Sequence, residues 1–190
     1  MSGPKNTTRK TRLIYRRVGN SAYIAVGKRT VIVDVEDLSV FAGWTISIST
    51  RNYVRLLGPF SEKPQRCAYL HRVLLDASVE TSVDHISGDR LDNRRANLRI
   101  CTHAENSRNR KCSDSARRLF KGCHYYKNQR GDKKWIARIW VNGRNLFLGC
   151  FVTPEEAALA YNEKARTEFG AFARLNVIQS HRETVSVVNL

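Results

Sequence analysis

The chain has no apolar run approaching the roughly 20 residues needed to cross a bilayer, and its first residues do not form the charged-then-apolar leader of a signal peptide. A membrane-spanning or exported protein is therefore not expected. It also lacks any C-x-x-C pair. The five cysteines, Cys67, Cys101, Cys112, Cys123 and Cys150, are odd in number and widely spaced, which argues against a zinc ribbon or a secreted disulfide framework. They are expected to be reduced and to serve mostly in packing. No internal repeat is visible. Acidic residues are scarce: 17 Asp and Glu stand against 33 Lys and Arg, a formal net charge of +16. A surplus of that size favours a polyanionic partner, because each neutralised phosphate releases condensed counterions. Nucleic acid leads, and an anionic membrane surface comes second. With 190 residues and 42% hydrophobic content, the chain can build one ordinary core or two small ones.

Residues 1–12 carry Lys5, Arg9, Lys10 and Arg12 and no acid, so they are expected to form a basic flexible arm, either a solvating tail or a DNA-contacting one. Short β-rich runs follow at Ala22 to Val26, Val31 to Val35, Trp44 to Ser49 and Tyr53 to Leu57, broken by Gly27, Gly43 and Arg51-Asn52, which predicts a small antiparallel sheet. Ala68 to Ala77 places Leu70, Val73, Leu74 and Ala77 at helical spacing and predicts a short buried helix. His71 inside it is expected to be a satisfied structural residue. The polar, basic stretch around residues 111–118 reads as a linker. Beyond it lie three β-like runs and one amphipathic helix, then a tail from residue 177.

The most informative stretch runs from Val83 to Arg110. Thr81 to Ile86 can form a strand, Ser87 to Ala96 a polar loop, and Leu98 to Cys101 a return strand with Leu98 and Ile100 turned inward. Thr102 and Glu105 form an S/T-x-x-E capping box that starts a helix. In a strand, strand, helix unit of this kind, a carboxylate at the end of the first strand and a carboxamide in the first helical turn can converge on one hard cation with oxygen ligands. Asp84 and Asn106 are those residues. His85, next to Asp84, suits a general base, since a neutral imidazole can take a proton from water near pH 7. Arg94, Arg95, Arg99, Arg108 and Arg110 can neutralise phosphate, and Asn93 is expected to organise the loop.

These elements, Asp84-His85-Ile86 with Gly88, Asp92-Asn93-Arg94 with Asn97-Leu98-Arg99, and Glu105-Asn106, resemble the HNH endonucleases, in particular the phage-type homing enzymes. The resemblance implies a metal-dependent DNA endonuclease using Mg²⁺ or Mn²⁺, with Asp84 and Asn106 on the metal, His85 as general base, and Asn97 orienting that histidine by a hydrogen bond.

From Phe120 to Asn176 alternation carries separate information. Trp135, Ala137, Ile139 and Val141 share one strand face, and Ile136, Arg138 and Trp140 the other. In the next strand Leu146 and Leu148 belong with the core, leaving Asn145, Phe147 and Gly149 opposite. Thr153, Pro154 and Glu156 start a helix over residues 154–168, whose Ala157, Ala160, Tyr161, Ala165 and Glu168 line one side. Covering one sheet face with this helix leaves the other to present Arg138, Trp140, Asn145 and Phe147, with Lys121 and His124 from the first strand. A two- or three-stranded sheet can enter the DNA major groove. Lys121-Gly122, Trp135-Ile136-Ala137, Leu148-Gly149, Tyr161-Asn162 and Ala173-Arg174-Leu175-Asn176 resemble the APETALA-two/ethylene-response-factor DNA-binding domain. That implies a sheet face that reads DNA, supported by Lys133, Lys134 and Arg144. Trp140 and Asn145 stand where plant members typically carry Arg, so sequence preference does not transfer. The competing account of Trp140 and Phe147 is packing against the nuclease module.

The expected fold class is α+β: a ββα-metal (HNH) nuclease module with an N-terminal antiparallel β region at residues 13–110, then a three-stranded antiparallel sheet packed on one helix at 119–176. Double-stranded DNA is the expected partner. One HNH centre cuts one phosphodiester at a time, so a double-strand break takes a homodimer or a second turnover. The expected setting is the cytoplasm of a bacterial or phage-infected cell. A non-cutting DNA-binding regulator built on the same scaffold is the alternative.

Overall fold

The computed structural model describes residues 13–59, 66–111, 119–127 and 130–178. The expected arm at 1–12, most of the expected linker at 111–118 and the tail from 179 lie outside the described residues. The chain divides into two compact units, residues 1–107 and 108–190.

In the first unit the β-rich runs form two sheets rather than the single one expected. Strands β1 (Tyr15–Val18), β2 (Ser21–Val26) and β3 (Arg29–Asp34) make one antiparallel meander. Strands β4 (Thr45–Ile48), β5 (Val54–Leu57) and β6 (Cys67–Tyr69) make the second. A 3-10 segment over Val35–Phe41 separates them. Strand β1 was hidden because all four of its residues are exposed, so no alternation marks it. The expected helix shrinks to α1 (Leu70–Leu74), since residues 67–69 join the second sheet. Leu70 and Leu74 are buried as the spacing required, and Val73 is exposed.

Strands β7 (Ser82–His85) and β8 (Leu98–Cys101) pair antiparallel, Asp84 opposite Arg99 and His85 opposite Leu98. Helix α2 (His103–Arg108) follows. Within β8 the inward residues are Leu98 and Cys101, and Ile100 is exposed, against the expected alternation. Leu98 and Val83 join a core with Ile24, Val31, Val33, Leu56 and Leu70, so the hairpin and the N-terminal sheets share one apolar interior.

The second unit is a sheet of β9 (Cys123–Tyr125), β10 (Trp135–Val141) and β11 (Arg144–Phe151) in order β11-β10-β9, with α3 (Pro154–Phe169) on one face. Thr153 caps α3 by accepting the Glu156 N–H at 3.2 Å, while the Glu156 carboxylate accepts the Val152 N–H at 3.2 Å. The buried side of α3 is Ala157, Ala158, Tyr161, Asn162, Ala165 and Phe169, and Phe169 rather than Glu168 ends it. Small alanines bring α3 against Ala137, Ile139 and Val141. Gly122 makes this possible: its φ is +77°, and a Cβ there would lie 2.1 Å from the Tyr161 ring and 2.6 Å from the Arg138 carbonyl. Asn162 and Asn176 close the unit. Asn162 exchanges two hydrogen bonds with the Asn176 backbone, and the Asn176 carboxamide exchanges two with the Lys121 backbone.

One expected face is corrected. Arg138 lies opposite Phe147 but Ala137 lies opposite Gly149, so Leu148 is an extra residue in β11. A bulge re-aims everything beyond it, and Gly149 thus sits on the core side rather than beside Asn145 and Phe147.

Candidate functional site

Helix α2 starts as its sequence required. Thr102 Oγ accepts the Glu105 N–H at 3.2 Å, and the Glu105 carboxylate accepts the Thr102 N–H at 2.8 Å. At six residues α2 depends on such caps, because few intrahelical bonds offset nucleation. It brings half-buried Asn106 back toward the β7–β8 pair, where the Asn106 N–H donates to the Thr102 carbonyl at 3.0 Å. Ser82 Oγ and His103 Nδ1 are 2.9 Å apart, tying helix to strand.

The loop between β7 and β8 is held by the first sheet. Ile32 N–H donates to the Leu91 carbonyl at 2.9 Å, Asn93 N–H donates to the Ile32 carbonyl at 2.7 Å, and Ile32 and Asp92 form a parallel bridge. Arg95 fastens the loop's far end: its N–H donates to Asp34 at 2.8 Å and its guanidinium to Asp37 at 2.7 Å. Asp34, Glu36 and Asp37 cluster within 4.8 Å, and this group is a socket for Arg95. Arg94 instead clasps Asp92, at 2.9 and 2.6 Å. Burial alone would raise the Asp92 pKa, but the Arg94 hydrogen bonds win and lower it.

Asp84 and His85 are both buried, each 4% exposed. The Asp84 Oδ2 accepts Arg99 Nε at 2.9 Å and Nη2 at 2.6 Å. A carboxylate and a carboxamide are the hard oxygen donors that a divalent cation such as Mg²⁺ takes, so Asp84 and Asn106 fit one in chemistry. A cation on Asp84 has to share or displace the Arg99 guanidinium. The His85 pKa is lowered by burial, opposed by a hydrogen-bonding interaction with Asn93 and by the Asp84 charge. The imidazole is thus neutral at pH 7 and can accept a proton.

Asn97 is placed differently from the expectation. Its Oδ1 accepts the Ser87 N–H at 2.9 Å and its Nδ2 donates to the Asp92 carbonyl at 2.7 Å, so its carboxamide cross-braces the loop. Fully buried Asn93 organises the loop as expected, its Nδ2 donating to the Arg90 carbonyl at 3.2 Å, and its carboxamide also works to raise the His85 pKa.

His71, expected to be a structural residue, sits beside His85. Its ring lies 5.1 Å from that of His85, edge to face, and 5.2 Å from Tyr53. It is 6% exposed, and its Nδ1 has no hydrogen-bond partner among the described residues, which differs from the satisfied histidine expected. Burial, then the His85 and arginine charges, push its pKa down to about 3. Arg90 stands 4.5 Å over the Tyr53 ring. Nothing local in sequence marks this meeting, since α1 and β7 come together only through the shared core.

Of the five arginines assigned to phosphate, Arg94, Arg95 and Arg99 are therefore paired with carboxylates, and Arg108 lies 4.8 Å over the Phe169 ring. Arg110 is exposed. In the second unit Lys121 turns its ammonium to the Arg108 carbonyl and Lys134 lies 3.4 Å from the Lys127 carbonyl. The open sheet face carries Trp140 opposite Asn145, and Arg138 opposite Phe147 with its guanidinium 5.7 Å over that ring. Trp140 is 66% and Phe147 57% exposed. Lys133 and Arg144 are exposed, and His124 is half-buried.

Residues 78–108 match the HNH endonuclease family model. The chain is 25% identical over 168 residues to an uncharacterized HNH endonuclease of Acanthamoeba polyphaga mimivirus, covering 87% of this chain and 80% of that protein. Two Arabidopsis thaliana proteins match shorter stretches: dehydration-responsive element-binding protein 2A, 44% identical over 55 residues, and protein 2D, 42% over 71. Those stretches are 28% and 36% of this chain but only 16% and 32% of the plant proteins. No solved structure matches. Residues 78–108 thus carry the match to HNH endonucleases, which points to a nuclease and to DNA as its partner. Among the described residues, no helix is long and apolar enough to cross a membrane.

Proposed function

We propose that this protein is a site-directed DNA endonuclease of the homing type, in which the first unit hydrolyses phosphodiester bonds and the second grips duplex DNA. The observation that carries this reading is the buried, neutral His85 beside Asp84, on a strand that faces a capped helix bearing Asn106. His85 takes the proton of the attacking water, and Asn93 and Asn97 hold the ring and its loop. Asp84 and Asn106 hold a divalent cation, Mg²⁺ or Mn²⁺, which supplies charge stabilisation at the phosphate. The arrangement is read as a ββα-metal centre. The plant-protein matches and the exposed Trp140, Phe147 and Arg138 face support duplex binding by the second unit.

A second reading, a non-cutting DNA-binding regulator on an HNH scaffold, is favoured by one observation: Arg99 already neutralises Asp84. The two separate cleanly. Incubated with phage or bacterial DNA, the protein should produce ends at defined positions with Mg²⁺ or Mn²⁺ and none in EDTA. His85→Ala should cut about 10²–10⁴-fold more slowly with binding near normal, the usual contribution of a general base. Full cutting in EDTA would overturn the metal mechanism, and cutting by His85→Ala within threefold of wild type would remove His85 from its role. No cutting on any DNA leaves the regulator as the account.

A further inference from the structure

A cavity of about 520 Å³ in the first unit runs along the outer face of the β4–β5–β6 sheet to Asn106, lined by Arg51, Tyr53, Arg55, Tyr69 and His71 among others. Its volume is that of an ordinary small-ligand site. Its chemistry is one-sided, since none of its described lining residues is a carboxylate and three are arginines. Arg72 is spent on the fold, donating to the Thr81 carbonyl at 2.9 Å and the Ala77 carbonyl at 3.3 Å. Arg51 is exposed at the rim, and among the described residues Arg55 holds Ser47 Oγ at 3.2 Å while its buried Nε has no partner.

The rest of the wall is rings. Tyr53 and Tyr69 meet edge to face at 5.8 Å, and Tyr69 stacks over His71 at 5.7 Å and 29°. Tyr69 is 41% exposed. Buried polar atoms without partners, here His71 Nδ1 and Arg55 Nε, are costly and cluster where a ligand completes the hydrogen bonding. Cationic side chains interleaved with aromatic faces are the ordinary platform for single-stranded nucleic acid. A base paired inside a duplex cannot enter a cavity, whereas an unstacked one can.

We infer that this cavity receives one unpaired nucleotide of the DNA strand being cut, its phosphate against Arg51 and Arg55 and its base among Tyr53, Tyr69 and His71. The identity of the strand rests on the nuclease reading, through Asn106, which both lines the cavity and is assigned to the metal. Engaging the site then requires local unstacking next to the cut.

The test needs no cutting. The full chain in EDTA is photocrosslinked to a single-stranded oligonucleotide carrying 5-iododeoxyuridine at every thymidine position, and to the same strand annealed to its complement, and the adducts are mapped by mass spectrometry. Crosslinks should fall on Tyr53 or Tyr69, with the single strand well above the duplex. Arg55→Gln and, separately, Tyr69→Leu should lower the yield at these residues about tenfold, the scale of one lost base contact, with the melting temperature retained. Adducts confined to other residues, or equal yields from paired and unpaired strands, would overturn the inference. So would thymidine monophosphate competing as well as the oligonucleotide, because the site would then serve a free nucleotide. A chain that crosslinks as expected yet cuts nothing sinks the nuclease reading alone.

Discussion

The two units use their positive charge in opposite ways. In the first, the motif arginines are drawn inward onto carboxylates: Arg94 to Asp92, Arg95 to Asp37 and Arg99 to Asp84. In the second, Arg138 lies over Phe147 on an open face, and Lys133 and Arg144 project at the surface. A net charge of +16 says that a polyanion is attracted but not which cations meet it. The first unit's arginines brace the β7–β8 hairpin and its loop, while the second presents Lys133 and Arg144 at its surface. Local rigidity in one and surface accessibility in the other are what the proposed division into cutting and gripping requires.

The largest effect expected in the second unit concerns its closest packing. Gly122→Ala should destabilise it by about 3 kcal/mol, since both the left-handed backbone and the Tyr161 ring resist a Cβ. Gly143→Ala has φ +76° but nothing within 4 Å, and should cost only about 1 kcal/mol. Thermal melts followed by tryptophan fluorescence compare the two, Trp135 and Trp140 both being in this unit. Equal losses would mean that backbone strain alone, and not the helix contact, makes Gly122 necessary.

The contrast in charge use can be broken directly. Arg95→Ala should lower stability by about 2 kcal/mol, because buried Asp37 loses its partner across a half-exposed pair, and should leave the salt dependence of DNA binding unchanged. Lys133→Ala with Lys134→Ala should do the reverse, reducing the salt slope by about two with little loss of stability. If Arg95→Ala changes the slope and not the melt, its ion pair is incidental and the arginine belongs to the interface.

Acid should separate the units as well. His71 is held neutral, its pKa near 3 against an unfolded value of 6.5, and His85 is shifted the same way. As pH falls below about 6.5 the unfolded chain takes up protons the folded one refuses, so the His71 contribution is full above 6.5 and lost toward pH 3, with a limiting slope of about 1.4 kcal/mol per pH unit, and His85 adds in the same direction. Melts at pH 7 and 5 should show the first unit weakening, and His71→Phe should flatten that dependence. An unchanged slope in His71→Phe would show that His71 is not what resists protonation.

What the sequence could reveal was local. Both capping boxes stood in it, because Thr102 with Glu105 and Thr153 with Glu156 are read within one turn. The core faces of β10 and α3 were legible from periodicity in the same way. The arginine pairings were not, since Arg95 finds Asp37 and Asp34 across 58 and 61 residues. Nor was the bulge at Leu148, which no break in the sequence marks while the register shifts beneath it. The closeness of His71 and Asn93 to His85 was not legible for a related reason: each meets that ring only because a different strand brings it there.

The effect that decides how far the second unit resembles a DNA reader concerns Trp140 and Phe147. Their exposure, 66% and 57%, is high for large rings, and they flank the exposed Asn145 and the stacked Arg138 on one sheet face. A face that enters a groove gains sequence information from base edges, while phosphate contacts add affinity that is the same for every sequence. Replacing both rings by Ala should therefore cost about 1–3 kcal/mol of preference for the mapped cutting site, and much less binding to random duplex. Paired titrations at matched salt measure this ratio, with a melt confirming that the unit still folds. Because neither ring belongs to the buried core of this unit, the melt should hardly move. If the ratio is unchanged and the melt of the full chain falls instead, the rings are packing residues covered by another part of the protein, and recognition lies elsewhere.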